Sequence, residues 1–420
     1  MTNSETKKFS QNVSSSYHLK DKGNNAPKLR FKGYNDEWKK VKIGEIYKER
    51  SERGNTNAEL LSVTMNDGVK RRIDIEGKDI SSEDKSNYKS VYIGDMVYNS
   101  MRMWQGANGI SNYDGIVSPA YTVMFPRIEL CNNFIGYLFK YEPLIFLFRR
   151  YSQGLTSDTW NLKYPQIKQL SILIPSLPEQ EKIASFLTLI DKKIEKQKEL
   201  VELLKKYKRG LLSQIFSQKL RFKDDNGNDY PEWKEKTLGE VTNNISYGLN
   251  AASKAYDGEN KYIRITDIDE TTGKYNNLDI VSPDCDLSDE YKLKNDDLLF
   301  TRTGASTGKT YLYNKNDGKM YFAGFLIKFS IKEEYCSNFV FYITQTFNYK
   351  KWVSIMSTRS GQPGINEKEY SKYKFLCPVY DEQIKISNIV LKIDNIIEKE
   401  TLLLSFYNNY KKGLLQQMFI

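Results

Sequence analysis

Residues 304–310 (GASTGKT) have the composition of a loop that could bind phosphate. A nucleotide-binding loop of this kind needs four residues between its glycines, and this stretch has three. Nucleotide hydrolysis is therefore not predicted. Two interpretations fit the residues equally well: a loop that aims backbone N–H groups and Lys309 at a DNA phosphate, and an ordinary glycine-rich turn.

Two further stretches look catalytic without meeting the full requirement. Residues 118–121 (SPAY) resemble the loop with which amino-methyltransferases hold a flipped base, but alanine replaces its second proline and no S-adenosylmethionine loop accompanies it. Pro283-Asp284 followed by residues 290–292 (EYK) formally fits a nuclease pattern that arises often in acidic segments. His18 is the only histidine, which excludes histidine-based acid–base or metal chemistry. We assign no catalytic residue and no metal site.

The composition instead favours a polyanionic partner. The net charge is +10 and the chain has 30 tyrosines, and positive charge attracts phosphates irrespective of sequence. Four scattered cysteines, the lack of an apolar run long enough to span a membrane and the lack of a signal peptide predict a cytoplasmic protein. Residues 1–26 are polar and are predicted to be a disordered tail.

Side chains that can read base edges are concentrated in loops. Arginine pairs with guanine, and asparagine and glutamine pair with adenine. For any one of these residues an ordinary surface role is an open alternative, and Trp104 could equally belong to the core together with Trp160. The candidates for DNA binding are Thr64, Asn66, Lys70, Arg71, Arg72, Asn99, Arg102, Trp104, Gln105, Gln153, Thr156 and Ser157 in the first half, and Arg264, Thr266, Thr301, Arg302, Ser306, Lys309, Arg359, Ser360 and Gln362 in the second.

These loops must be positioned by elements that occur twice. Residues 178–216 align without a gap on residues 381–419, so that Asp191 falls on Asp394 and Gly210 on Gly413. Apolar residues step by four and three in each copy, which predicts a helix of roughly 57 Å with a coiled-coil face. We call this face the seam: Ile183, Leu187, Ile190, Ile194, Val201, Leu204 and Leu211 in the first copy, and Ile386, Val390, Ile393, Ile397, Leu404, Tyr407 and Leu414 in the second.

Polar residues interrupt the seam at matching positions. These are Gln197 with Glu400, and Lys208 with Lys411. They favour the two helices as each other's partners over two ordinary amphipathic helices in unrelated cores, and they are candidates for fixing the register.

The repeat continues outside the helices, since residues 28–31 (KLRF) recur at 219–222 and residues 37–39 (EWK) at 232–234. The predicted fold is α/β (α+β), with two similar domains, two long antiparallel helices and a pseudo-two-fold tandem repeat. The predicted limits are 1–26 for the tail, 27–176 for the first domain, 177–217 for the central helix, 218–379 for the second domain and 380–420 for the C-terminal helix. Within the domains we predict strands at 60–64, 115–125, 170–174, 262–267, 297–304, 321–327 and 373–378, a turn that enters a strand at 92–99, and helices at 133–151 and 337–346.

The duplicated pattern resembles the specificity subunit of type I restriction–modification enzymes. The resemblance rests on residues 177–184 (LPEQEKIA) and 190–195 (IDKKIE) with their second copy at 382–398, on residues 208–216 (KRGLLSQIF), and on residues 301–304 (TRTG) and 360–365 (SGQPGI). It covers essentially everything after residue 26.

The resemblance implies two target-recognition domains that read a bipartite DNA sequence, held apart by the helix pair. It also implies a chain without catalytic activity. Two modification subunits would use S-adenosylmethionine to methylate adenine N6, and two restriction subunits would use ATP and Mg for translocation and cleavage. The alternative is a coiled-coil scaffold that binds proteins and not DNA, which leaves the basic loops unexplained. A stand-alone methyltransferase or nuclease lacks its cofactor loop and its base.

Overall fold

The computed structural model describes residues 25–65, 67–79, 81–358 and 362–420. They fall into two compact units, which we call unit 1 and unit 2. Unit 1 contains the described residues up to Gln197 together with Leu403–Ile420, and unit 2 contains Lys198–Leu402. Each long helix therefore contributes residues to both units.

Unit 1 is built on a four-stranded antiparallel sheet with the strand order β2–β9–β6–β7. The pairs β1–β10, β3–β4 and β5–β8 are also antiparallel. The elements in chain order are β1 (Lys39–Lys42), α1 (Ile43–Ile46), β2 (Tyr47–Glu49), β3 (Leu61–Thr64), β4 (Gly68–Arg71), β5 (Lys89–Val91), β6 (Met96–Asn99), β7 (Asn108–Ile110), β8 (Gly115–Val117), β9 (Tyr121–Pro126), α2 (Asn132–Leu138), α3 (Glu142–Tyr151), α4 (Tyr164–Ile167), β10 (Ser171–Ile174) and the long helix α5 (Leu177–Phe216).

Unit 2 repeats this plan with the sheet order β12–β19–β16–β17. The pairs β11–β20 and β13–β15 are antiparallel, and β14–β18 is parallel. Its elements are β11 (Lys234–Thr237), β12 (Thr242–Tyr247), β13 (Ser253–Ala255), β14 (Lys261–Ile263), β15 (Val281–Pro283), β16 (Asp297–Thr301), β17 (Thr310–Leu312), β18 (Met320–Phe322), β19 (Leu326–Ile331), α6 (Ser337–Ile343), α7 (Phe347–Met356), α8 (Glu367–Ser371), β20 (Lys374–Cys377) and the long helix α9 (Tyr380–Met418).

Three predicted elements are wrong because each is two elements. The helix predicted at 133–151 is α2 and α3, since Pro143 cannot lie inside a helix and instead begins a new one. The strand predicted at 115–125 is β8 and β9, which are separated at Pro119, a residue that cannot donate to a strand ladder. The strand predicted at 321–327 is β18 and β19, with a turn at residues 323–325.

The two long helices supply part of the core of each unit. In unit 1, Asp191 of α5 pairs with Lys411 of α9, and Lys193 lies 4.6 Å from the ring centre of Tyr407. The two helices therefore run antiparallel there, as predicted. Every residue of the seam is buried or half-buried. The ends of the seam and the apolar residues beside them pack into the domain cores: Ile183, Leu187, Leu414 and Met418 with Trp38 and Phe134 in unit 1, and Leu212, Ile215, Ile386 and Val390 with Trp233 and Phe339 in unit 2.

A polar cluster of the same three residue types interrupts this packing in each unit. In unit 2, Lys208 Nζ lies 2.7 Å from Asp394 Oδ1, and the Tyr342 hydroxyl donates to Asp394 Oδ2 at 3.1 Å. In unit 1, Lys411 and the Tyr137 hydroxyl converge on Asp191 in the same way. Burial lowers the pKa of Lys208, so an unpaired ammonium there would be costly. Each lysine pairs with an aspartate of the other long helix, which supports the predicted role of Lys208 and Lys411.

A buried glutamate at the start of each long helix anchors the repeated KLRF segment. In unit 2, Glu382 accepts hydrogen bonds from Arg221 Nε (2.9 Å), Arg221 Nη2 (3.0 Å) and Trp233 Nε1 (3.0 Å). In unit 1, Glu179 accepts from Arg30 Nε at 2.7 Å and from Arg30 Nη2 at 2.8 Å. A carboxylate in the first turn of a helix is also favoured by the helix dipole.

Candidate nucleic-acid interface

Three loops of unit 2 meet at Arg302, and we call this meeting point the Arg302 cluster. The loop after β16 donates from Arg302 N–H to the Phe325 carbonyl of the β18–β19 turn (3.0 Å). The segment before α8 donates from Ile365 N–H to the Arg302 carbonyl (2.9 Å), while Gly304 N–H donates to Pro363 (2.9 Å). These bonds hold loops that are far apart in sequence at one edge of the unit.

The Arg302 side chain has its charge available for a ligand. Its guanidinium lies 5.0 Å from the ring centre of Tyr247, which is a cation–π arrangement. Within the described part of the chain no carboxylate pairs with it. Gln362 is exposed. Its Nε2 lies close to Gly304, two residues after Arg302, because a Cβ added at Gly304 would lie 3.1 Å from it. A bidentate donor and a bidentate amide at one edge suit base-edge recognition.

The glycine-rich loop at 304–310 is a turn that uses its own amides. Thr307 N–H donates to Gly304, Gly308 N–H donates to Thr301, and Lys309 N–H donates to Ser306. The Thr301 hydroxyl also bonds to the Ser306 carbonyl and is fully buried. These three amides are used within the turn and are not available to a phosphate. The remaining positive group, Lys309 Nζ, lies 3.5 Å from Glu270.

Unit 1 brings the equivalent loops together with different side chains. Leu162 N–H donates to the Ser100 carbonyl (2.8 Å), and Ser100 N–H donates to Ala120 (3.2 Å), which reproduces the bonds around Arg302. The exposed Arg102 follows, and it has no ion pair among the residues that the structure describes. The predicted candidates Asn99, Gln105, Gln153, Thr156 and Ser157 lie in the same two loops and are exposed or half-buried.

Two tryptophans join these loops of unit 1. Trp104 and Trp160 pack edge to face at 5.2 Å, and both are half-buried. The Arg149 guanidinium lies over both rings, at 5.9 and 5.3 Å. Trp104 therefore helps to hold the two loops together. Arg149 is a basic residue of this surface that sequence reasoning missed because it lies inside α3.

Lys140 connects the β3–β4 hairpin to the Arg102 loop. Its Nζ donates to the Met65 carbonyl (2.7 Å) and to the Gly106 carbonyl (2.6 Å). Burial, and secondarily the charge of Lys411, lowers the pKa of Lys140 to about 8. The hairpin carries the predicted residues Thr64 and Lys70, so a single half-buried lysine links two predicted DNA-binding segments.

We expect the stability of the chain to depend on pH through Lys140. Its folded pKa of about 8 lies below the usual 10.5, so the unfolded chain binds more protons between these values and stability rises with pH there. Lys140→Met should reduce the rise in the free energy of unfolding between pH 8 and pH 9.5. This range lies below the usual pKa of tyrosine. Urea unfolding at the two pH values measures this, and an unchanged rise in the variant would contradict the assignment.

Several predicted contacts are occupied by the protein itself. Arg72 donates to the carbonyls of Ile75, Gly77 and Lys78. Arg264 is bidentate to Asp267 and also reaches Asp279. Arg71 pairs bidentately with Asp74. These arginines shape loops, and Thr266, which donates to Asp267, belongs to the same structure.

The remaining predicted DNA-binding residues differ in where they lie. Ser306 is half-buried in the glycine-rich turn. Asn66, Arg359 and Ser360 lie outside the described residues. Asn99 and Arg72 also line an open cleft of about 600 Å³ in unit 1, together with Tyr88, Ser118 and Tyr121. The SPAY segment thus borders a real concavity, although its flanking carboxylates, Asp79 and Asp84, disfavour an anion.

The long helices carry a second exposed surface, opposite in chemistry to the loops. In unit 2, Leu203 and Tyr207 are 64% and 60% exposed. In unit 1, the repeat-equivalent Phe406 and Tyr410 are 59% and 47% exposed, and their rings are nearly parallel at 6.1 Å. Large apolar side chains recurring on one helix face indicate a protein-binding surface. We call these four residues the helix patches.

The described residues contain no group of His, Cys, Asp and Glu side chains arranged to hold a metal ion. Among the helices of the described ranges, none combines the length and apolarity needed to cross a bilayer.

A family model described as the type I restriction modification DNA specificity domain matches residues 35–205 and again residues 230–404. The chain is 24% identical over 316 residues to the type I restriction enzyme StySPI specificity subunit of Salmonella potsdam, which covers 72% of this chain and 65% of that protein. It thus spans a little under two thirds of that relative. It is 22% identical over 315 residues to the EcoKI specificity subunit of Escherichia coli K12, covering 71% of this chain and 67% of that protein.

Two solved structures share the fold. The S subunit of a type I restriction–modification system from M. genitalium superposes with a TM-score of 0.56 at 16% identity, over 94% of this chain and 99% of that one. A chain from a structure of type I R-M complex assembly and conformational transition gives 0.57 at 15% identity, over 92% and 98%.

Proposed function

Because the chain belongs to the type I restriction–modification DNA specificity family, we propose that it selects the bipartite DNA sequence on which a modification and restriction complex acts. The observation that carries this proposal is the repeated loop junction. Equivalent hydrogen bonds join Arg302 in unit 2 and Ser100 in unit 1 to their neighbouring loops. The joined loops carry Arg302 and Gln362 in unit 2, and Arg102 and Gln105 in unit 1. Similar frames with different side chains suit two readers of two different half-sites.

The chemistry would be performed by partner subunits. In this proposal two modification subunits bring S-adenosylmethionine for adenine N6 methylation, and two restriction subunits bring ATP and Mg for translocation and cleavage. The chain itself contributes recognition and placement, with its domains at residues 27–176 and 218–379 and its helices at 177–217 and 380–420. The candidate DNA-binding residues whose charges and amides are not consumed internally, Arg102, Gln105, Arg302 and Gln362, are the strongest within it.

Arg302→Ala should relax recognition of one half-site and leave the other unchanged. A bidentate arginine–guanine contact contributes about 1–3 kcal/mol of discrimination, and the stacking on Tyr247 means that lysine would not replace it. Methylome sequencing of a host that expresses the chain with its modification subunit measures the target at each position.

Arg102→Ala provides the matched control, because it lies in the other unit and should relax only the other half-site. Fluorescence anisotropy with duplex DNA, with and without the modification subunit, tests the proposal as a whole. Salt-dependent DNA binding that never distinguishes sequences would refute target recognition, and the absence of DNA binding would favour the scaffold alternative.

A further inference from the structure

Phe325 is an exposed aromatic residue held in a rigid turn of unit 2. The turn between β18 and β19 is closed by Leu326 N–H donating to Ala323 (2.8 Å), and Gly324 N–H donates to Leu249 (2.7 Å). These bonds fix the backbone on both sides of Phe325. Its side chain is nevertheless 57% exposed. The turn therefore presents an aromatic ring outward and does not bury it.

The ring lies at the edge of the Arg302 cluster. The Phe325 carbonyl accepts the Arg302 N–H at 3.0 Å, so the two residues are adjacent parts of one surface. Arg302 and the exposed Gln362 supply polar recognition groups there. Phe325 supplies the one property that those two groups lack, which is an apolar face.

Unit 1 shows that the fold does not require this ring. Ala120 occupies the equivalent place, since its carbonyl accepts the N–H of Ser100 as Phe325 accepts that of Arg302. A turn with the same bond is thus built with a methyl side chain. A large apolar side chain that the backbone does not need, and that core packing does not use, points to a role in binding.

We propose that Phe325 contacts the C5-methyl group of a thymine in the half-site read by unit 2. This inference rests on the proposed function and names one base feature within it. In the major groove the thymine methyl is the apolar element of the base-pair pattern, and phenylalanine is among the side chains that contact it. Arginine and glutamine recognise hydrogen-bonding edges, so a neighbouring ring would add discrimination that they cannot provide.

The test uses duplexes with the target sequence that methylome sequencing identifies. Each thymine of the unit 2 half-site is replaced in turn by uracil, which lacks only the methyl group. Binding of the chain in complex with its modification subunit is measured by anisotropy. One uracil position should weaken binding of the wild type about fourfold, the equivalent of one buried methylene group. Phe325→Ala should bind thymine and uracil duplexes equally, and Phe325→Leu should keep part of the preference.

The proposal would be overturned if no uracil position affects the wild type, if the half-site contains no thymine, or if Phe325→Ala keeps the fourfold preference. A loss of modification-subunit capture without any change in thymine preference would also overturn it, in favour of a protein contact. Phe347→Ala, at an exposed phenylalanine on α7, is the matched control and should keep the preference. If the complex shows no sequence preference at all, the proposed function fails, and this result is distinct from the loss of thymine preference alone.

Discussion

Glu382→Ala is expected to lower the free energy of unfolding of unit 2 by about 3–5 kcal/mol, the cost of removing one partner of a buried ion pair. The carboxylate is fully buried and satisfies three donors, two from Arg221 and one from Trp233. Alanine would leave the guanidinium and the indole N–H without their acceptor. Urea denaturation followed by circular dichroism measures the loss.

Two variants provide the comparison for Glu382→Ala. Glu398→Ala removes an ion pair with Lys274 in which both side chains are about half exposed (51% and 50%), and it should cost less than about 1 kcal/mol. Glu179→Ala should cost less than Glu382→Ala, because among the described residues Trp38 Nε1 has no hydrogen-bond partner and so does not depend on Glu179. Equal effects of Glu382→Ala and Glu398→Ala would show that the buried pair is not an anchor.

Charged substitutions in the helix patches should weaken assembly with the modification subunit. Under the proposed function, Leu203 and Phe406 occupy the same position of the repeat and would each meet one copy of that subunit. An aspartate in place of such an exposed apolar anchor should cost at least about 2 kcal/mol, or roughly 30-fold in affinity. The double variant Leu203→Asp with Phe406→Asp should lose both copies, and each single variant should retain one.

Native mass spectrometry of the reconstituted complex distinguishes these stoichiometries. Leu278→Asp is the matched control, since Leu278 is 88% exposed but lies outside the long helices. Circular dichroism checks that the helices persist, because aspartate lowers helix propensity by less than about 1 kcal/mol. Full assembly of the double variant would remove the helix patches from the proposed interface.

The long helices were predictable because their signal is periodic and repeated. Apolar spacing determines which face is buried, and every seam residue from Ile183 to Leu414 is buried or half-buried. Lys208 and Lys411 could be recognised in the sequence because they interrupt the seam. Their partners Asp191 and Asp394 could be recognised only as identical residues of the two aligned copies. Pattern alone could not show that the ends of the seam pack into the domain cores.

The recognition surface was less predictable because it depends on contacts between distant parts of the chain. Ile365 N–H donates to the Arg302 carbonyl, a hydrogen bond that no local sequence pattern predicts. Residue type alone makes Arg72 and Arg302 equal candidates for DNA binding. In the structure the Arg72 guanidinium donates to three backbone carbonyls, whereas the Arg302 guanidinium stacks on Tyr247. The sequence pattern predicts Phe325 in a strand at 321–327, and only the turn that splits this strand reveals its exposure.

The anchoring of the KLRF segment has a consequence for chain connectivity. In unit 2, Leu220 N–H donates to the Gln214 carbonyl (3.1 Å), across a continuous junction in which Gln218 has a φ of 59°, a value that favours glycine. In unit 1, Leu29 N–H donates to the Gln417 carbonyl (2.9 Å), and these equivalent residues are hundreds of positions apart. The same junction therefore forms with and without a nearby covalent link. A protease nick between Ser217 and Lys219 should therefore leave this junction formed in unit 2, as it is formed in unit 1 without a nearby covalent link.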